Sequence, residues 1–167
     1  MKVELRKDKT MNSINIGEKA PNFMLPKSGG GHVALTDFVG KYLILYFYPR
    51  DDTPGCTKEA IAFTEDLAAF KALNADVLGV SKDKVAKHDK FIAKHELGIP
   101  LGSDETGEMI ESYGSWVEKS MYGKTYMGID RSTFLIGPDG TFLEIWRKVR
   151  VKGHVEAVLD ALKSHAE

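Results

Sequence analysis

Hydrophobic and polar positions along the chain change period several times, and each change predicts an element. Leu43-Ile44-Leu45-Tyr46-Phe47-Tyr48 is an unbroken apolar and aromatic run, short and rich in β-formers, which predicts a strand buried on both faces. Ala60, Phe63, Leu67 and Phe70 then recur every three or four residues, the spacing of a helix with one inward face. Asp76 to Ser81 is a second short strand. Lys84 to His95 is a second helix, with Val85, His88, Phe91 and Ile92 inward and Lys84, Lys87, Lys90 and Lys94 on a solvated face. A brief strand at Pro100-Leu101 and a short helix from Glu105 to Tyr113 follow. Gly114 to Gly128 has no clear period and reads as a loop packed by Trp116, Tyr122 and Tyr126. Ser132 to Ile136 and Thr141 to Arg147 form a hairpin across Gly137-Pro138-Asp139-Gly140. Gly153 to His165 closes the chain as a helix, with Val155, Val158, Leu159 and Leu162 on one face.

Toward the N-terminus, Phe23 to Leu35 reads as a hairpin turning through Ser28-Gly29-Gly30-Gly31. Three glycines alone do not make a phosphate loop, because no Lys-Ser/Thr and no helix follow. Residues 1–15 are polar and charged and read as an extension, a frayed arm or an added edge strand, ahead of a domain over 16–167. Strand, helix, strand, helix, hairpin, helix is the order of a layered α/β domain. A crossover between the first two buried strands predicts that they run parallel.

Composition narrows the function. The chain has 167 residues with 23 basic and 24 acidic side chains, which suggests neither a nucleic-acid surface nor a membrane patch. No apolar run is long enough to span a bilayer, and the expected location is the cytoplasm. The single cysteine, Cys56, excludes an internal disulfide and fits a reducing compartment.

Cys56 stands where the buried strand hands over to the helix. Thr53 suits the N-cap, Pro54 the first helical position, and Glu59 adds negative charge in the early turns. On this register Cys56 is the third helical residue, near unpaired N–H groups and the positive end of the helix dipole. Both favour the thiolate, the nucleophilic form of sulfur. The alternative is a small buried hydrophobe, the commonest role of a free cysteine.

Pro49, Thr53 and Cys56 form P-x-x-x-T-x-x-C within the string YPRDDTPGCTKEA, which resembles the active site of the peroxiredoxins, in particular the bacterioferritin-comigratory-protein or peroxiredoxin Q branch. The likeness continues through Ala20-Pro21-Asn22-Phe23, Leu78-Gly79-Val80-Ser81, Glu118 to Lys124, and Arg131-Ser132-Thr133-Phe134-Leu135-Ile136. It implies a thioredoxin-like fold with a mixed central sheet, no cofactor, and a thiol-dependent peroxidase acting on hydrogen peroxide and organic hydroperoxides. Cys56 is then the attacking sulfur. Thr53 hydrogen-bonds the peroxide, N–H groups near Gly55 and Cys56 stabilise developing charge, and Pro49 adds an apolar wall. Spacing does not single out a partner cation among Arg6, Arg50, Arg131, Arg147 and Arg150; the resemblance points to Arg131.

Many members of that branch carry a resolving cysteine five residues on, or in the following helix. Here Ile61 and Ile92 stand there. The expectation is therefore a one-cysteine cycle closed by an external thiol: thioredoxin, glutaredoxin or glutathione. The branch implies a monomer or weak homodimer. A dithiol oxidoreductase is excluded because Thr53 occupies the first position of what would be Cys-x-x-Cys. A cysteine hydrolase lacks a histidine in any motif, and a metal shell lacks ligands around His88 and His95. The alternative outside redox catalysis is a holdase or redox-sensing interaction protein on the same fold.

Overall fold

The computed structural model describes residues 14–166, so most of the N-terminal extension lies outside the described residues. Its centre is β3 (Tyr42–Phe47), the strand on which the apolar run falls. Alternate residues of β3 point to opposite faces. Ile44 and Tyr46, with Tyr48 just beyond, join Cys56, Ala60, Phe63, Phe70, Phe91 and Val158 in one core. Leu43, Leu45 and Phe47 join Leu78, Ile110, Tyr113, Phe134 and Phe142 in the other. A strand that feeds two cores needs apolar residues throughout, which is why it shows no period-two alternation.

From β3 the chain enters α1 (Pro54–Glu65), continues as α2 (Leu67–Ala72) after a break at Asp66, and returns as β4 (Ala75–Ser81). β4 runs parallel to β3, with Leu43 beside Asp76 and Phe47 beside Val80. Next come α3 (Val85–His95), β5 (Leu101–Ser103) parallel to β4, and the short α4 (Glu108–Ser112). β8 (Ser132–Ile136) pairs antiparallel with the free side of β3, and β9 (Phe142–Trp146) pairs with β8. The sheet order is β9-β8-β3-β4-β5, and α5 (His154–Ala166) closes the chain. This mixed sheet with flanking helices is a thioredoxin-like arrangement. An N-terminal hairpin, β1 (Met24–Pro26) with β2 (His32–Ala34), turns through Gly29, Gly30 and Gly31, all at positive φ.

The stretch read as a loop is instead a hairpin, β6 (Trp116–Met121) with β7 (Lys124–Ile129), in register from Trp116–Ile129 to Met121–Lys124. Its two-residue turn, Tyr122-Gly123, has φ of 54° and 79°, the geometry that matches strand twist in tight hairpins. Alternation is faint here because both faces of most of the ribbon are exposed, including Met121, Tyr122, Tyr126 and Met127. With no core to select one face, the pattern loses its period.

Candidate active site

Cys56 is the third residue of α1, fully buried, at the end of the sheet where β3 finishes and β8 begins. Thr53 is the N-cap by backbone geometry, yet its side chain does not cap the helix. Its hydroxyl donates to the Arg50 carbonyl at 3.0 Å. The first bond of the helix runs from Thr57 N–H to the Thr53 carbonyl at 2.8 Å. The N–H groups of Gly55 and Cys56 therefore precede the helical ladder. Pro49 lies exposed between β3 and this turn.

Arg131 reaches the sulfur from the strand on the other side of β3. It directly precedes β8, and its Nη2 donates to Cys56 Sγ at 3.4 Å while Nη1 donates to Glu59 Oε1 at 2.7 Å. One planar guanidinium thus spans a sulfur and a carboxylate three residues apart on α1, a task that suits the fixed fork of arginine. Burial would drive the guanidinium toward neutrality, but the Glu59 and Cys56 charges outweigh it and hold Arg131 above the ordinary arginine range. Among the described residues this is the only hydrogen bond the sulfur receives. Arg6 lies outside the described residues, Arg50 and Arg150 are exposed, and Arg147 donates to the Gly114 and Tyr113 carbonyls.

Gly55 leaves room for that guanidinium. A Cβ at this position would sit 3.2 Å from Arg131 Nη2. Alanine is the better helix former by about 1 kcal/mol, so Gly55→Ala should not lower the melting temperature. It should lower the second-order rate with peroxide by roughly 10-fold, the scale of a sub-ångström misplacement of a reacting group. A variant with full rate would show that this clearance is unimportant.

Glu59 is the site residue that sequence reasoning misplaced. The sequence reading places it at the helix dipole; instead it points inward, with no exposed surface and with Oε2 lacking a hydrogen-bond partner among the described residues. The signal was available in its spacing: Cys56, Glu59 and Phe63 share one helix face, so a carboxylate there requires a buried cation. Burial pushes the Glu59 carboxyl up from 4.5 to about 7 against the pull of Arg131. Between those values the folded protein keeps a proton that the unfolded chain has lost. Stability therefore falls as pH rises through that window and levels off above it. The drop is on the order of 3 kcal/mol. Glu59→Gln should flatten it, and urea midpoints at about pH 5 and about pH 8 measure the difference. Equal pH slopes in both proteins would refute this assignment.

A second buried network holds the turn before α1. Tyr48 donates to Asp51 Oδ1 at 2.5 Å, and Asp51 Oδ2 lies 2.7 Å from His88 Nδ1. His88 Nε2 lies 2.9 Å from the Gly102 carbonyl, and the Asp51 N–H donates to Asp83 Oδ2 at 2.7 Å. Both nitrogens of His88 thus face acceptors. Asp51, Asp83 and His88 bring potential metal-ligand atoms within 4.8 Å of one another, but these groups already bond to one another and to the backbone. Their evident work is to tie α3 and β5 to the turn that delivers Cys56. A lone helix histidine and a turn aspartate gave no sequence signal for this. Below Arg131, His154 lies 2.8 Å from Thr133 Oγ1. Burial first, and the Arg131 charge second, push its imidazole down to about 4, so it adds no cation near neutral pH.

A buried sulfur at the head of a helix, held by an arginine that directly precedes the neighbouring strand, is the arrangement this thioredoxin-like fold presents. The AhpC/TSA family model matches residues 16–145. Peroxiredoxin Bcp of Bacillus subtilis (strain 168) is 46% identical over 155 residues, which cover 93% of this chain and 99% of that protein. Peroxiredoxin Bcp of Escherichia coli (strain K12) is 42% identical over 156 residues, 93% of this chain and 100% of that one. The solved structure of Xanthomonas campestris peroxiredoxin Q matches with a TM-score of 0.84 at 46% identity, covering 87% of this chain and 92% of its own. The chain belongs to the AhpC/TSA family, among its peroxiredoxins of the Bcp or peroxiredoxin Q type. Cysteine-to-serine variants of the Xanthomonas protein have been solved at two positions, spaced as Cys56 and Ile92 are here. In this chain Ile61, on α1, and Ile92, on α3, are both half-buried against the core.

Among the described residues, no helix is long and apolar enough to cross a membrane.

Proposed function

We propose that this protein is a thiol peroxidase that reduces hydrogen peroxide and alkyl hydroperoxides by a one-cysteine cycle. The observation that carries this reading is the Arg131 guanidinium 3.4 Å from a buried sulfur at the start of a helix. Related Xanthomonas campestris bacterioferritin comigratory protein has been described in trapped intermediate and ligand complexes for its alkyl peroxide reduction activity, which favours including alkyl hydroperoxides.

In this reading the Cys56 thiolate attacks the terminal oxygen of the peroxide. The S–O bond forms, the O–O bond breaks, and the alkoxide or hydroxide leaves with the bonding pair and takes a proton. The sulfur becomes a sulfenic acid. Arg131 is already aimed at the sulfur, so it meets the incoming oxygens without reorganising. Because the Thr53 hydrogen is committed to the Arg50 carbonyl, its oxygen lone pairs are free to accept from the peroxide O–H. The Gly55 and Cys56 N–H groups face the developing negative charge. Pro49 keeps a donor-free apolar surface beside the turn.

Resolution needs a thiol from outside, since the chain has one cysteine. One equivalent of peroxide should add one oxygen (about 16 Da) to Cys56, and a following thiol should give a mixed disulfide and then the free thiol. Intact-mass spectrometry checks each step. A protein that consumes peroxide with no change at Cys56 would defeat the reading. Lacking an internal trap for the sulfenic acid, the enzyme should also over-oxidise readily when peroxide exceeds thiol.

A further inference from the structure

The segments that flank this site carry positive charge that the cycle above does not use. After β9 the chain crosses to α5 through Arg147-Lys148-Val149-Arg150-Val151-Lys152. This loop is anchored beside the site: the Val149 N–H donates to the Arg131 carbonyl at 2.9 Å, and the Lys148 N–H to Asp130 Oδ1 at 3.2 Å. Lys148, Arg150 and Lys152 are exposed, as are Arg50, before Thr53, and Lys58, after Cys56. None of these five forms an ion pair among the described residues. The nearby carboxylates are engaged elsewhere. Asp51 is bonded to Tyr48 and His88, Asp52 to Lys94 and His95, Glu59 to Arg131, and Asp130 to the Lys148 backbone. Glu156, at the start of α5, is the exposed acid next along the chain and makes no ion pair with the loop. A chain whose net charge is −1 overall thus carries a rim of exposed, unpaired cations on the segments that flank Cys56 and Arg131.

We infer that this rim selects the resolving reductant, and that the reductant is a small thiol bearing a carboxylate. The inference rests on the peroxidase reading. A hydroperoxide such as hydrogen peroxide is neutral and gains little from the rim, whereas an anionic thiol is drawn in and concentrated there. A small thiol also suits a sulfur that is only 1% exposed and that has no second cysteine to carry the oxidation to the surface. The thiolate attacks the Cys56 sulfenic sulfur, the S–O bond breaks, and hydroxide leaves as water after taking a proton. A second thiol then attacks the mixed disulfide, releasing Cys56 and a small-molecule disulfide.

The test begins with the full chain and one equivalent of hydrogen peroxide, and the sulfenic acid is confirmed by mass. Failure to form it defeats the peroxidase reading and this inference with it. The oxidised protein is then mixed with 3-mercaptopropionate, 2-mercaptoethanol or cysteamine at equal thiolate concentration, and its reduction rate is followed. At low salt, the anionic thiol should react roughly 10-fold faster than the neutral one, and the cationic thiol slower than both. The preference should collapse between about 0.01 and about 1 M ionic strength, as the screening length falls from roughly 30 to 3 Å. Arg150→Glu with Lys152→Glu should abolish or invert it while leaving oxidation by hydrogen peroxide within about 3-fold, because that step has no charged reactant to steer. Should the double variant not fold, the salt series on the unaltered protein decides alone. Equal rates for the three thiols, a preference that ignores salt, or turnover only with a dithiol protein would each overturn the inference.

Discussion

Cys56→Ser should reduce peroxide consumption to the level of buffer, a loss of more than ~10³-fold, while leaving the fold in place. The cost is chemical. A serine hydroxyl is not ionised near neutral pH, and no general base stands beside it: the sulfur's hydrogen-bond partner among the described residues is the cation Arg131, not a histidine or carboxylate. The guanidinium that suits a thiolate cannot take a proton from an alcohol. Structure should survive because the substitution exchanges one small side chain for another in a site already lined by a charged donor. Peroxide loss followed directly, with melting temperature alongside, checks both halves. A Cys56→Ser protein that consumes peroxide at the original rate would place the chemistry elsewhere in the molecule and end the one-cysteine cycle.

The fold was legible wherever burial imposed a period. β3, α1, β4, α3, the β8–β9 hairpin and α5 all announce themselves, because each presents a face or a whole strand to one of two cores. The β6–β7 hairpin did not, since most of its side chains meet solvent on both faces and only the Tyr122-Gly123 turn marks it. The break at Asp66 was hidden for a different reason: Phe63 and Phe70 are both buried on either side of it, so the apolar spacing runs on through the break. At the site, the local register of Thr53, Pro54 and Cys56 could be read from residue chemistry alone. The meeting of Cys56 with a residue 75 positions away could not, because it depends on β8 lying beside β3. Buried polar groups were the least legible. Glu59, Asp51 and His88 occupy core positions only because specific partners from other elements satisfy them, and a single sequence does not display those pairings.

Arg131→Ala should lower the second-order rate with peroxide by ~10²–10³-fold, the cost of losing a preorganised donor at the developing charge. It should also destabilise the protein, and the two losses can be separated. Arg131 shares its guanidinium between the sulfur at 3.4 Å and the Glu59 carboxylate at 2.7 Å. Removing it strands Glu59, which has no exposed surface and one oxygen already without a hydrogen-bond partner among the described residues. Breaking one side of such a buried pair costs about 3–5 kcal/mol, less whatever Glu59 recovers by taking up a proton. Adding Glu59→Gln to Arg131→Ala removes the stranded charge and should restore most of that stability. It should restore none of the rate, because the sulfur still lacks its cation. Arg131→Lys should lie between, keeping the charge but not the fork that reaches two groups at once. Peroxide kinetics and urea unfolding on the single and double variants form the cycle. Recovery of rate and stability together in the double variant would mean that Arg131 serves only to neutralise Glu59, and that the chemistry at Cys56 proceeds without it.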